Sequence, residues 1–332
     1  MILQFTGCLK LPIYHINSEQ IRILKTPQDL FHSLLDHIEN ANKRIILSTL
    51  YIGTGSLENE LVTALTKAVR ERNVKLTILM DATRGLRPCL TTNYYTINAN
   101  NLSSTTNLLE LPPSYSSCHF LAPLTTLPNV SILLYRHPFP YKWIRYMLPN
   151  RWNEIFGVQH IKAYIFDDSV IMSGLMDFSK GASGYIPLAY REALIQLLQL
   201  FYTTKLNHSN INIYEYIRPD WTFHAKGLWI ESVADDSQDE EKKTADHHHP
   251  SYSLSLVGSS NFSYRSLNRD LESQLCIVTT NPKLRQCLYN ERCHLFSSTC
   301  CYPITLNQLI YQTKYRLPVY VRFLLPIFRW YM

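Results

Sequence analysis

Apolar positions in the first third of the chain switch between two spacings. From Pro27 to Asn40 they fall at Leu30, Phe31, Leu34, Leu35 and Ile38, the three-and-four spacing of one helix face. Lys43–Ile52 is rich in Ile and Leu and reads as a buried strand. Leu57–Arg72 returns to the helical spacing at Leu57, Leu61, Leu65 and Ala68, with Ser56 marking its start and Asn59 three positions on. Ile21–Lys25, Val74–Asp81 and Val130–Tyr135 read as further strands. The alternation predicts an α/β fold, a parallel or mixed sheet with helices on its faces. Pro88–Pro128, rich in Thr, Asn and Ser, reads as a long loop.

Further on, His160–Phe166 and Val170–Ser173 read as a hairpin turning at Asp167-Asp168-Ser169. Thr222–Glu231 and Ser253–Val257 repeat the pattern around a longer acidic connection, Ser232–Pro250. Its three successive histidines, His247 to His249, read as solvated side chains and not as a metal site. Leu188–Leu206 and Pro282–Ser297 read as helices, and Leu271–Thr280 and Ile211–Ile217 as strands.

The two hairpins carry the chemistry. His160-Ile161-Lys162 opens the first strand of one and His224-Ala225-Lys226 lies in the first strand of the other. A separation of two on extended backbone puts both side chains on one face. An imidazole there can attack phosphorus or carry a proton, while the ammonium neutralises phosphoryl oxygens. One such pair means little. Two of them, the first with Asp167 after a gap of four and the second with Gly258-Ser259-Ser260-Asn261 downstream, point to one site built from two related halves.

These strings resemble the signature of the phospholipase D superfamily, H-x-K-x4-D followed by G-S-x-N, present twice. Within it the chain is similar to the eukaryotic mitochondrial phosphatidylglycerophosphate synthases. That likeness rests on Ser48–Gly55, Asp81-Ala82-Thr83-Arg84-Gly85, Trp221–Trp229, Asn261–Ser266 and Arg269-Asp270-Leu271-Glu272. The resemblance implies two pseudo-symmetric lobes, residues 1–178 and 179–332. It also implies transfer of a phosphatidyl group from CDP-diacylglycerol to sn-glycerol 3-phosphate, through a phosphatidyl-histidine, with no metal and no other cofactor.

On the same basis His160 is the nucleophile and His224 the acid/base partner, although the reverse assignment fits the motif too. Lys162 and Lys226 bind phosphoryl oxygens, and Asn261 completes the set. The superfamily places an acid fourteen positions after the first residue of G-S-x-N, which is Glu272 here and is expected to orient His224. Asp167 belongs to the catalytic signature, with a structural role in the hairpin turn as its simpler reading. Gly53, Thr54, Gly55, Ser259, Arg265 and Ser266 are the expected substrate-binding positions. The Gly53–Ser56 turn also reads as a plain strand-to-helix turn, and it lacks the Lys of a nucleotide-binding P-loop.

The first half departs from this pattern. Its counterpart of G-S-x-N is Ser173-Gly174-Leu175-Met176, and the acid position holds Pro187. His160 and His224 are only 64 residues apart, whereas an α/β lobe with its own core takes ~100–150 residues. A deletion near Gly174–Phe178 follows, leaving the second lobe without its opening strands. A catalytically impaired relative and a related hydrolase are the alternative readings.

Charge adds a surface. The net charge of +6 is modest, but Arg136–Arg151 and Lys314–Arg329 hold basic and aromatic residues with no acid. Such segments suit an anionic membrane surface, or equally an amphipathic packing element; nucleic acid is disfavoured at this net charge. No segment is apolar enough to span a bilayer, so membrane contact is expected to be peripheral. Eight cysteines without C-x-x-C spacing read as reduced thiols. The first residues make a poor presequence, so association with the mitochondrial inner membrane rests on the resemblance.

Overall fold

The computed structural model describes residues 11–88, 93–96, 104–107, 115–138, 143, 147, 152–173, 185–203, 211–218, 224–232 and 252–311. The 174–178 junction, the acidic connection with its three histidines, nearly all of the 136–151 stretch and the basic tail lie outside them.

Helix α1 (Pro27–Asn40) begins where the sequence places it. Thr26 accepts from the Asp29 N–H and the Asp29 carboxylate returns a bond to the Thr26 N–H, both at 3.0 Å, with Pro27 at the first helical position. Strand β1 (Arg44–Ser48) follows. Helix α2 (Ser56–Arg72) is capped by Gly55, one residue before the expected Ser56, and ends at Asn73 in the left-handed region. Strand β2 (Lys75–Asp81) runs parallel to β1, and the single turn α3 (Ala82–Gly85) starts on the Asp81 carboxylate.

The expected Pro88–Pro128 loop is partly ordered structure. It contains the hairpin β3 (Asn93–Thr96) and β4 (Ser104–Asn107), then helix α4 (Ser117–Leu121). Phe120, Leu121 and Leu124 are wholly buried, so local polar composition hid an apolar anchor. The expected strand Ile21–Lys25 is absent; those residues have no regular structure.

Strand β5 (Val130–Tyr135) lies parallel to β2. Strand β6 (Ala163–Phe166) is antiparallel to β1 and turns into β7 (Ser169–Met172). The order β5-β2-β1-β6-β7 makes a mixed five-stranded sheet. Its core gathers Leu34 and Ile38 of α1, Leu65 of α2, Ile45, Leu76, Ile78, Met80 and Tyr164 of the strands, and Phe120 of α4.

The second half is thinner. Helix α5 (Tyr185–Thr203) precedes the short β8 (Tyr214–Tyr216). Strands β9 (Gly227–Glu231), β10 (Ser253–Gly258) and, after the single turn α6 (Tyr264–Asn268), β11 (Gln274–Thr279) form an antiparallel sheet in the order β11-β10-β9. Helix α7 (Pro282–Leu295) covers one face, where the Trp229 indole N–H donates to Glu291 and Arg292 pairs with Glu231. On the other face Leu228, Ile230 and Val278 are 40–45% exposed. Strand β12 (Cys301–Pro303) pairs with β8, and helix α8 (Leu306–Tyr311) packs Leu309 against Ile195 and Leu198 of α5.

Candidate active site

The segment 157–160 leads toward β6 alongside residues 269–272 of the second half. Three consecutive amides are held there. Val158 N–H donates to the Asp270 carboxylate at 2.9 Å, Gln159 N–H to the Asp81 carboxylate at 3.0 Å, and His160 N–H to the Leu271 carbonyl at 2.8 Å. Leu271 N–H returns a bond to the Val158 carbonyl at 2.9 Å, a parallel bridge between the halves of the chain. Gly157 sits at φ +119°, and a β-carbon there would lie 2.4 Å from the Arg269 carbonyl oxygen. Glycine is required by both facts.

His160 is buried, and its Nδ1 lies 3.1 and 3.0 Å from the two Glu272 carboxylate oxygens. This corrects the expected pairing: Glu272 orients the histidine of the other half, not His224. The reason is topological. Residues 269–272 run alongside 157–160, so Glu272 emerges beside His160.

Lys162 Nζ is 3.0 Å from His160 Nε2, and Lys226 Nζ is 2.8 and 3.0 Å from the two His224 ring nitrogens. Each His-x-Lys pair therefore shares a face, as the spacing predicts. The charge of Lys226 is felt at His160, so the two pairs belong to one electrostatic site.

Burial lowers the His160 pKa below the ordinary histidine value; the Glu272 carboxylate raises it and Lys162 lowers it further, leaving it depressed. Burial raises the Glu272 pKa, but hydrogen bonds from His160, Ser259 and Ser266 outweigh that and hold it below the usual range. A neutral imidazole beside an ionised carboxylate carries its proton on Nδ1 and a lone pair on Nε2. That nitrogen is the one facing Lys162.

The remaining expected residues fall in several places. Asp167 is not at the site. Its carboxylate accepts the N–H groups of Asn42, Lys43 and Arg44 at 2.8–2.9 Å, and these bonds, led by those from Asn42 and Arg44, lower its pKa. Seven residues of extended chain separate it from His160, roughly 20 Å. Asp167 thus clamps the start of β1, with φ 51° at the hairpin turn.

The Gly53–Gly55 turn offers no open cradle: β-carbons on Gly53 and Gly55 would lie 2.5 and 2.9 Å from the Glu58 carboxylate oxygens, and Thr54 is buried. The chain's own anion takes the place foreseen for a phosphate.

Ser259 and Ser266 are buried as well, and both hydrogen-bond Glu272. Ser266 also accepts from the Asn261 N–H, and Arg265 pairs with Asp270 at 3.1 Å. Ser259 and Ser266 thus support the orienting acid, and Arg265 its neighbour Asp270, where substrate contact was expected. Asn261 is exposed at the turn after Ser260.

Gln159, Ser48, Asp81 and Asp270 have roles that sequence reading did not assign. The Gln159 side-chain amide donates to Ser48 Oγ at 2.6 Å, and Gln159 and Asp81 are 0% and 1% exposed. A signal was available: Ser48 and Asp81 are polar residues that end two otherwise apolar strands. Among the described residues no group of three or more His, Cys, Asp or Glu is placed to hold a metal ion.

The same architecture occurs in the crystal structure of phosphatidylserine synthase from Haemophilus influenzae. The match has a TM-score of 0.65 and 13% identity and covers 98% of this chain and 96% of that one. The α/β, phospholipase D-like fold is thereby borne out. In sequence, the chain is 33% identical over 170 residues to the protein of Pongo abelii named CDP-diacylglycerol–glycerol-3-phosphate 3-phosphatidyltransferase, mitochondrial. It is 33% identical over 171 residues to the Homo sapiens protein of the same name. Over about half its length the chain is thus similar in sequence to proteins named as phosphatidyltransferases.

Each of those two alignments covers 49% of this chain, and the chain spans 26% of the length of each relative. A Dictyostelium discoideum protein named as a probable phosphatidyltransferase of this kind aligns along 97% of the chain and 79% of its own length, at 23% identity. That alignment runs over 498 residues, longer than this whole chain, so part of the relative has no counterpart here. No protein-family model matches the chain.

Proposed function

We propose that the chain transfers a phosphatidyl group from CDP-diacylglycerol to sn-glycerol 3-phosphate, releasing CMP and forming phosphatidylglycerophosphate. The observation that carries the reading is His160, whose Nδ1 is held by Glu272 and whose Nε2 faces the Lys162 ammonium.

In the first step the Nε2 lone pair attacks the phosphorus bearing the diacylglycerol. A P–N bond forms as the P–O bond to CMP breaks, and CMP leaves as a phosphate needing little protonation. Lys162, drawn from Nε2 onto the phosphoryl oxygens, stabilises the charge that builds there, with Lys226 beside it. The imidazolium that results keeps its Nδ1–H on Glu272. In the second step the glycerol hydroxyl attacks phosphorus, its proton passes to His224, and the P–N bond breaks.

Peripheral contact with an anionic surface of the mitochondrial inner membrane, and a lobe boundary at 178/179, belong to the same proposal. No described helix is long and apolar enough to cross a membrane. The deciding assay is CMP release from CDP-diacylglycerol in mixed micelles, with and without glycerol 3-phosphate. Release that ignores glycerol 3-phosphate and yields phosphatidic acid would identify a hydrolase.

An impaired transferase is the second reading, favoured by a specific observation. Glu272 of the second half serves His160 of the first. By the same crossing, a first-half acid would serve His224, and with the deletion at Gly174–Phe178 the position fourteen after Ser173 is held by Pro187 instead. The loss falls on the acid/base partner and spares the nucleophile.

A further inference from the structure

We propose that Asp270 is a positioning residue for His160, clasping the backbone just upstream so that the imidazole is set only when the two halves of the chain are docked. The inference rests on the reading of His160 as nucleophile.

Asp270 is two positions from Glu272, and its carboxylate takes partners of its own. Its side chain is 3% exposed and receives two donors: Val158 N–H at 2.9 Å and Arg265 Nε at 3.1 Å. Arg265 supplies the counter-charge that a buried carboxylate needs, so Asp270 is an ionised acceptor on a neutral amide, a strong bond of its type. Leu271, between the two acids, pairs with Val158 and His160 through its own N–H and carbonyl.

Three successive residues of the second half thus grip two residues of the first: Asp270 on Val158, Leu271 on Val158 and His160, Glu272 on the His160 imidazole. The geometry leaves little slack, because Gly157 already stands against the Arg269 carbonyl. Without the Asp270 bond, Val158 N–H is left buried and unsatisfied. Residues 158–160 then have freedom to shift against Glu272. A displacement near 1 Å at a reacting atom costs on the order of 10²-fold in rate.

The test compares Asp270→Asn and Asp270→Ala with the wild-type full chain by two readouts. In steady-state and single-turnover CMP release, kcat and the first-turnover rate should fall ~10–100-fold, with KM for CDP-diacylglycerol nearly unchanged. Ala should exceed Asn, which keeps an oxygen to accept from Val158. By 15N NMR of the imidazoles, with His160 assigned against His160→Gln, its titration should move up toward the ordinary histidine value as water reaches the ring.

An unshifted His160 titration with unchanged kcat overturns the proposal. So does a loss of thermal stability that lowers activity without moving the His160 signal. If the wild-type chain releases no CMP, the proposed function fails, while the His160 titration still decides the role of Asp270. If Asp270→Ala does not fold, the same two readouts on Asp270→Asn decide.

Discussion

The two hairpins that follow the His-x-Lys pairs stand in unequal company. Strand β6 has β7 on one side and β1 on the other, and beyond β1 lie β2 and β5. Strand β9 has β10 on one side and, among the described residues, no strand on the other. By the correspondence of the halves, β1, β2 and β5, the parallel part of the first sheet, have no counterpart beside β9 among the described residues. The consequence shows on the surface: Ile45, Leu76 and Ile78 are fully buried, while Leu228 and Ile230 are nearly half exposed. A site shared by two halves can keep its chemical groups even when one half loses much of its scaffold, because the hairpin, not the whole sheet, presents them.

The comparison predicts its largest effect at the histidines. His160→Ala and His224→Ala should each lower CMP turnover by ~10³-fold or more. They should differ in kind: a single-turnover assay should show no CMP burst with His160→Ala and a retained burst with His224→Ala. Equal bursts in both would dissolve the division of labour. The wild type should itself lean toward His224→Ala, with one fast equivalent of CMP and slow turnover, if Pro187 marks the acid that His224 has lost.

Next comes Glu272→Gln, with an expected loss of ~10²-fold. The sign of its pH effect is diagnostic. Glu272 raises the His160 pKa, so removing its charge lowers that pKa further and moves the acid limb of kcat/KM to lower pH. In the wild type the limb already lies below the ordinary histidine value. A limb that moves to higher pH in Glu272→Gln would mean that Glu272 does not act on His160.

The sheets can be compared directly by paired truncation. Ile78→Ala should destabilise by about 2–5 kcal/mol, as for a buried isoleucine, and Ile230→Ala by less than about 1 kcal/mol. Urea melts of both proteins give the comparison, and equal losses would mean that the β9 face is covered after all. Asp167→Ala should have the smallest effect on activity: kcat within about twofold, with stability lowered by about 1–2 kcal/mol. Because the folded-state pKa of Asp167 is depressed, its contribution is present above the ordinary aspartate value and fades as pH falls through the folded one. A kcat loss as large as that of Glu272→Gln would return Asp167 to the active site.

Much of this was legible in sequence, and the failures have physical causes. Helix α1, strand β5 and both hairpins were readable because apolar spacing and turn chemistry are local. The His-Lys contacts were readable because a separation of two has one outcome on extended backbone. Glu272 was found by its position, but its partner was not, since counting along a half-chain cannot reveal that the halves exchange acids. Asp167 had two readings, catalytic and structural, and the structural one at the hairpin turn is what the geometry bears out, because a signature records that a residue recurs and not what it touches. Helix α4 was missed because Phe120, Leu121 and Leu124 sit within a polar stretch and show their role only once the sheet is there to receive them. Arg265, Ser259 and Ser266 were expected to meet substrate, and a sequence cannot separate a residue that meets substrate from one that holds the residue that does.

The bond between His160 and Glu272 joins residues 112 positions apart, and that distance is also an interval of time. At about 5–20 residues per second, the ribosome makes the histidine roughly 6–20 s before the acid that orients it. A nascent or prematurely terminated chain that ends before residue 272 therefore carries His160 without the acid that orients it. Under the proposed mechanism the imidazole is armed only by residues made after it, so a copy stopped short of them is not set to attack a lipid nucleotide.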